Sequence, residues 1–283
     1  MIKRFWKNIM RFGDRVMKDN LGLYAAQASF FIIFSVTPFI MLLITLAKYV
    51  IPINPEQILT EIYRLVPVDI ASFLSNMLLD VFDDSAGVIS VTAVSTLWLA
   101  SKGVMALYMG LNNVFKPEKE RNYFYTRFIS VVYTLLFVIA MLLTIVVFGF
   151  GEYIIDLLPE NAAMTVLKDL LRYRVLLFMA SLTMIFASFY KFLPRRINSF
   201  RRQLPGAALA ALGWIVFSYI YSIYIERFSN YSYIYGSLTA VIFLMLWLYV
   251  CMNIFLYGAE FNLLLEEDFF KKAKSEETDK NIK

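Results

Sequence analysis

The chain has 283 residues, 60% of them hydrophobic and only 17% charged, with a formal net charge of +5. A soluble globular chain holds about 45–50% apolar and about 25% charged residues, so the excess here cannot be hidden in one soluble core. The apolar residues fall in helix-length runs rather than strand-length alternation, which sets aside a barrel and predicts an all-α, polytopic membrane protein.

In chain order, the N-terminal KRFWKNIMRFGDRVMKDN places Phe5, Ile9, Phe12 and Val16 at helical spacing, with Lys3, Arg4, Lys7, Arg11 and Arg15 as a basic edge. This predicts an amphipathic cytoplasmic helix within 1–28, lying on the inner leaflet with its cations near anionic headgroups. The first span is expected at 29–50. Its apolar run is longer than a signal-peptide core, and the small residues of AAQAS precede it where a cleavage site would follow, so the span is expected to stay in the mature protein. Pro38 should free the carbonyl of Phe34 and kink this helix. Gln27, Ser29 and Ser35 bring hydrogen-bonding capacity nearby, as cavity-lining spans do, although such residues are also ordinary in membrane helices.

An outer insert, 52–86, follows. Ile58, Leu59, Ile62 and Leu65, then Ile70, Phe73, Leu74, Met77 and Leu78, repeat at helical intervals. They predict two short amphipathic surface helices. The second span, 87–111, carries Lys102. At about 1.5 Å per residue, Lys102 lies about 22 Å into a core of about 30 Å, where insertion costs about 2.5–3.5 kcal/mol. Ser95, Trp98 and Asn113 share its face. Either the long stem snorkels to the inner interface or the charge faces a cavity or a partner inside the bundle. The second reading is the expectation.

Further spans are expected at 128–150, 174–193, 204–225 and 237–259. Between the fourth and fifth, PRRINSFRRQLP holds Arg195, Arg196, Arg201 and Arg202 and no acid. Topology alone would select such a loop. It would also suit phosphate headgroups, because guanidinium can grip phosphate oxygens in bidentate fashion. The sixth span carries Asn253 and then Glu260 seven residues later on the same face. A carboxylate at a helix C-terminus opposes the macrodipole, so Glu260 reads either as an interfacial anchor or as a working residue. The three units are therefore a helix in 1–28, a transmembrane domain in 29–265 and a charged tail in 266–283.

The loops fix an orientation. Twenty Lys and Arg lie in segments on one side and six on the other, Lys102 being the remaining one of 27. By the positive-inside rule both termini are cytoplasmic. There is no histidine, the single cysteine is Cys251, and no GxxxxGK[ST] run occurs. Ser-His and Cys-His devices are thereby excluded, and a P-loop is absent. The cytoplasmic acids are scattered rather than clustered for a metal. No enzyme activity, metal or cofactor is expected.

The segments AAQASFFIIFSVTPF, TLWLASKGVMALYMGLNNVF, YKFLPRR, PGAALAALGWIVFSYIYSIYI and YIYGSLTAVIFLMLWLYVCMNIFLYGAEFN together resemble the YihY/BrkB family of bacterial inner-membrane proteins, over about residues 20 to 262. The resemblance implies six spans with both ends inside. It carries an old ribonuclease BN label and associations with virulence, serum resistance and envelope-lipid export. By motif it marks Ser29, Ser35 and Pro38; Trp98, Ser101, Lys102 and Asn112; and Tyr235, Gly236 and Glu260. The expected function is a transporter or flippase for an amphiphilic, anionic, lipid-like substrate. Lys102, Ser95, Trp98, Ser101, Asn113, Asn253, Glu260, Ser35 and Pro38 would lie along its path. The alternative is a non-transporting scaffold for an envelope machine. Expected partners are membrane lipids at the cytoplasmic face and a second copy of the chain, not nucleic acid.

Overall fold

The computed structural model describes residues 2–50, 75, 86–117, 122–136, 139, 174–194, 199–227 and 238–281. Among these the regular structure is entirely helical. Helix α1 is Ile2–Lys18, α2 Leu21–Val50 and α3 Ala86–Phe115. Residues 123–136 form α4. Helix α5 is Arg174–Phe192, a 3-10 turn covers Phe200–Gln203, α6 is Leu204–Arg227 and α7 is Leu238–Asn281. Among the described residues three stretches are long and apolar enough to cross a membrane: Val94–Phe115, Phe200–Ile225 and Val241–Glu267. Leu21–Val36 and Leu176–Phe192 are shorter apolar helices.

Several expected boundaries shift. The helix of the first span begins at Leu21, not at 29, because the N-terminal amphipathic helix stops at Lys18. Asn20 takes a left-handed φ of 48° there, a conformation that asparagine tolerates. Helix α2 continues through Pro38. Helix α3 ends where Lys116 adopts φ 45° and its N–H reaches the Asn112 carbonyl at 2.8 Å, with Pro117 next, unable to continue the helix. Helix α7 runs past the end of the sixth expected span, 237–259, to Asn281. Its 44 residues make it about 66 Å long, about twice the hydrocarbon core. The expected outer helices of 52–86 lie outside the described residues, Ser75 excepted.

Packing centres on α7, which touches α1, α2, α3, α6 and the 3-10 turn; α2 also packs along α3, and α5 along α6. The buried core runs through Leu21, Leu111, Tyr190, Leu193, Phe255 and Leu256. Lipid gives no hydrophobic drive between helices, so close packing and interhelical hydrogen bonds hold such bundles. Both appear here. Tyr190 donates to the Phe255 carbonyl at 2.5 Å, Tyr221 to the Phe243 carbonyl at 2.6 Å and Trp247 Nε1 to Ser218 Oγ at 3.1 Å.

The tightest approach is between α6 and α7. A Cβ on Gly206 would lie 2.1 Å from the Gly258 carbonyl oxygen, and one on Gly258 would lie 2.6 Å from the Gly206 oxygen. The two backbones therefore touch only because both residues lack side chains. Asn262 fastens the same crossing. Its Oδ1 accepts from the Gly206 N–H at 2.7 Å, and its Nδ2 donates to the Gln203 carbonyl at 2.9 Å. Gln203 in turn donates to Glu266 at 3.2 Å. The opposite faces of α6 and α3 expose Leu209, Val216, Ile220, Val91 and Val94, apolar surface of the kind that lipid covers.

A Gly206→Ala protein is expected to melt well below wild type in detergent, by about 1–3 kcal/mol or more, the usual cost of overpacking. Gly13→Ala, where nothing lies within 4 Å, should melt like wild type. Equal melting of the two variants would contradict the backbone contact.

Candidate functional site

Two groups of charged residues stand out. The first joins α1, the α1–α2 turn, the end of α3 and α7. Glu260 is completely buried and accepts from Arg15 Nη1 at 3.3 Å. The other Arg15 nitrogen, Nη2, reaches both oxygens of Glu267, at 2.7 and 2.8 Å. Arg11 also pairs with Glu267. One turn of chain away, Asp19 is buried and accepts from Lys116 at 3.1 Å, while Asn113 donates to the Asp19 carbonyl at 2.5 Å.

Three cations, Arg11, Arg15 and Lys116, thus meet three carboxylates, Asp19, Glu260 and Glu267; Asp19 and Glu260 are buried, while Lys116 keeps most of its side chain exposed. Burial works to lower the Arg15 pKa, but the hydrogen bond and charge of Glu267, and then Glu260, outweigh it, so the net shift is upward. Arg15 is a fixed cation here. Phe12 packs edge-on against Tyr257, seating the apolar face of α1 on α7. Two acceptors in this region, Glu260 Oε2 and Asn112 Oδ1, are buried without a hydrogen-bond partner.

The second group lies around Trp98. Lys102 Nζ sits 5.1 Å from the Phe31 ring centre and 5.8 Å from that of Trp98. On the indole, the Arg127 guanidinium lies 4.2 Å from the ring centre, and its Nη2 donates to the Trp98 carbonyl at 2.9 Å. Ser101 donates to the same carbonyl at 3.0 Å. Arg127 Nε and Nη1 are buried with no acceptor. Among the described residues neither Lys102 nor Arg127 pairs with a carboxylate. Trp98 is 53% exposed and opens onto the same side as Val91 and Val94.

The sequence-derived candidates divide between these groups. Lys102, Trp98 and Ser101 come together; Ser95 lies a turn earlier on α3 and is half-buried. Asn113, expected on the face of Lys102, instead belongs to the Asp19 group. Glu260 belongs to it too, with Arg15 rather than Lys102 as its cation. Asn253 is buried between the groups, donating to the Tyr249 carbonyl at 2.8 Å and leaving Oδ1 without a partner. Ser29 and Ser35 turn back onto their own helix, to Ala25 and Ile32 at 2.7 and 2.6 Å, and Pro38 is half-buried. Arg201 and Arg202 are exposed on the 3-10 turn. Arg195, Arg196, Tyr235 and Gly236 lie outside the described residues.

Sequence reasoning missed Arg127 as a site residue. It was counted with the cytoplasmic loop, yet its side chain reaches Trp98, 17 residues or about 26 Å before the end of α3. Among the described residues no group of three or more His, Cys, Asp or Glu is placed to hold a metal ion.

The family model described as Virulence factor BrkB matches residues 12–283. The chain is 29% identical to a Bacillus subtilis protein named "Putative ribonuclease-like protein YfkH", over 86% of this chain and 89% of that one. It is 24% identical to a "UPF0761 membrane protein" of Alteromonas mediterranea, over 96% and 94% of the two chains. A "UPF0761 membrane protein" of Vibrio vulnificus is 25% identical over 89% of this chain and 80% of its own. No solved structure matches.

Arg15→Met would leave the Glu260 charge buried and unpaired. That change costs about 3–5 kcal/mol in a closed interior, and less here because Arg15 is 24% exposed. Adding Glu260→Gln should recover part of the lost melting temperature. Additive losses in that double-mutant cycle would show that the two side chains do not interact.

Proposed function

The chain belongs to the BrkB virulence factor family, and on that footing we propose that it is a transporter or flippase for an amphiphilic, anionic, lipid-like substrate of the cell envelope. We place it in the inner membrane with six spans and both termini cytoplasmic, the arrangement that the loop charges favour. It is a membrane protein by its apolar helices and its relatives; the substrate class is our reading.

One observation carries it. Lys102 lies in the middle of a helix suited to crossing a bilayer, held against aromatic faces rather than against a carboxylate. A cation at that depth is costly and does not stabilise the fold through an ion pair among the described residues. Its cost is offset when an anion passes or binds. Trp98 is exposed beside Val91 and Val94, where an acyl chain could remain in lipid while its headgroup meets the cation.

A scaffold role has one observation in its favour. Arg201 and Arg202 are exposed together at the start of α6, a surface that would suit an acidic partner. The ribonuclease-like name of the Bacillus relative is not carried over. This chain has no histidine, and Asp19, Glu260, Glu266 and Glu267 are engaged by Lys116, Arg15, Gln203 and Arg11.

The test is translocation of a fluorescent anionic phospholipid in vesicles, read with a membrane-impermeant quencher. Wild type should expose inner-leaflet label, Lys102→Met should do so about tenfold more slowly or worse at equal folded content, and Lys102→Arg should retain much of the rate. If wild type moves no label while neutralising Arg201 and Arg202 abolishes a cellular phenotype, the scaffold reading replaces this one.

A further inference from the structure

We propose that Lys102, Arg127 and the indole of Trp98 form a binding site for a phosphate group, the phosphate being that of a lipid headgroup. This rests on the transport reading and deepens it by naming the chemistry that the site recognises.

Among the described residues, every cation of the α1–α3–α7 group faces an acid within 3.3 Å. The pair at Trp98 does not: two positive charges from two helices converge on one ring, Lys102 from α3 and Arg127 from α4. Each is attracted to the negative face of the indole, but a ring quadrupole is worth about 0.5–2 kcal/mol and does not neutralise a charge. Like charges brought together in a low-dielectric setting repel, so an arrangement of this kind is completed by an anion.

The donor set indicates which anion. Arg127 uses one nitrogen on the Trp98 carbonyl and keeps Nε and Nη1 buried without an acceptor. The N–H groups of a guanidinium lie in its plane, and phosphate oxygens match that geometry. Lys102 supplies three more donors on a flexible stem as a point charge. A phosphate ester with charge between −1 and about −2 would balance two cations better than a single carboxylate would. Trp98 is 53% exposed beside the exposed Val91 and Val94, so apolar surface lies next to the cations for the chain attached to the headgroup.

The site has a built-in reporter. With full-length purified protein in detergent, the difference in tryptophan emission between wild type and Trp98→Phe isolates Trp98. Three probes would be titrated: a short-chain phosphatidic acid, the phosphatidylcholine of equal chain length, and inorganic phosphate. We expect a saturating Trp98-dependent change with phosphatidic acid, weakened about tenfold or more in Lys102→Met and in Arg127→Met, the loss expected for one charge-assisted contact. Lys102→Arg and Arg127→Lys, which keep the charge, should bind more tightly than the methionine variants. Their melting temperatures would confirm that loss of binding is not loss of fold.

A response to inorganic phosphate as strong as that to phosphatidic acid would uphold the phosphate site and overturn the lipid as its source. No Trp98-dependent response to either, or a response unchanged in both methionine variants, would overturn the site. Because binding is read without translocation, the two proposals fail separately. Binding in a protein that moves no lipid would remove the transport reading and leave the site. Translocation lost in Lys102→Met without Trp98-dependent binding would do the reverse.

Discussion

The structure turns on one constraint: a charge withdrawn from water must be met by an opposite charge or it destabilises whatever holds it. Glu260 is where that constraint acts most strongly. It lies within the apolar stretch Val241–Glu267 of α7 and has no exposure at all. Its cation comes from Arg15, 245 residues away in sequence. To bring Arg15 there, α1 must lie against α7 rather than float free on the leaflet. That placement puts the α1–α2 turn beside the end of α3, where Asp19 collects Asn113 and Lys116. The start of α2, the end of α3 and the middle of α7 are thus tied together by a network of paired charges as well as by apolar contact.

Glycine and asparagine do the same work one turn further on. The Gly206–Gly258 contact lets α6 and α7 meet at the backbone, and Asn262 satisfies the Gly206 N–H near the start of α6, which would otherwise be orphaned. Around these fixed points the apolar residues need only be small enough inside and greasy enough outside. The charges at Trp98 break the pattern. A fold that neutralises Arg11, Arg15 and Lys116 so thoroughly, yet leaves Lys102 and Arg127 sharing one indole, has put cost where structure does not ask for it. The proposed phosphate site would account for such an exception.

Much of this was legible in the sequence, and the remainder was not for a definite reason. Hydropathy located the helices well: α5, α6 and the start of α7 fall within two residues of the expected spans, because length and apolar content are local properties. The cost of burying Lys102 was legible for the same reason. The partner of Glu260 was not. Arg15 reads as part of the basic edge of an amphipathic helix, and only the tertiary fold shows that this edge faces α7. Arg127 was misjudged for the opposite reason: a basic residue before an apolar run reads as a loop charge, and its reach back to Trp98 depends on how α4 leaves α3. Asn113 shares a helical face with Lys102, but over 11 residues the helix carries it to a different neighbour.

The account stands on the Trp98 cluster lying within the membrane and open to lipid. The direct measurement is collisional quenching in a protein whose only tryptophan is Trp98, with Trp6, Trp214 and Trp247 replaced by Phe, reconstituted in bilayers. Lipids brominated on their acyl chains should quench it strongly, and aqueous iodide should quench it weakly. Strong quenching by iodide with none from the brominated lipids would put Trp98, Lys102 and Arg127 at a water-facing surface, where two cations need no anion, and the central claim would fall.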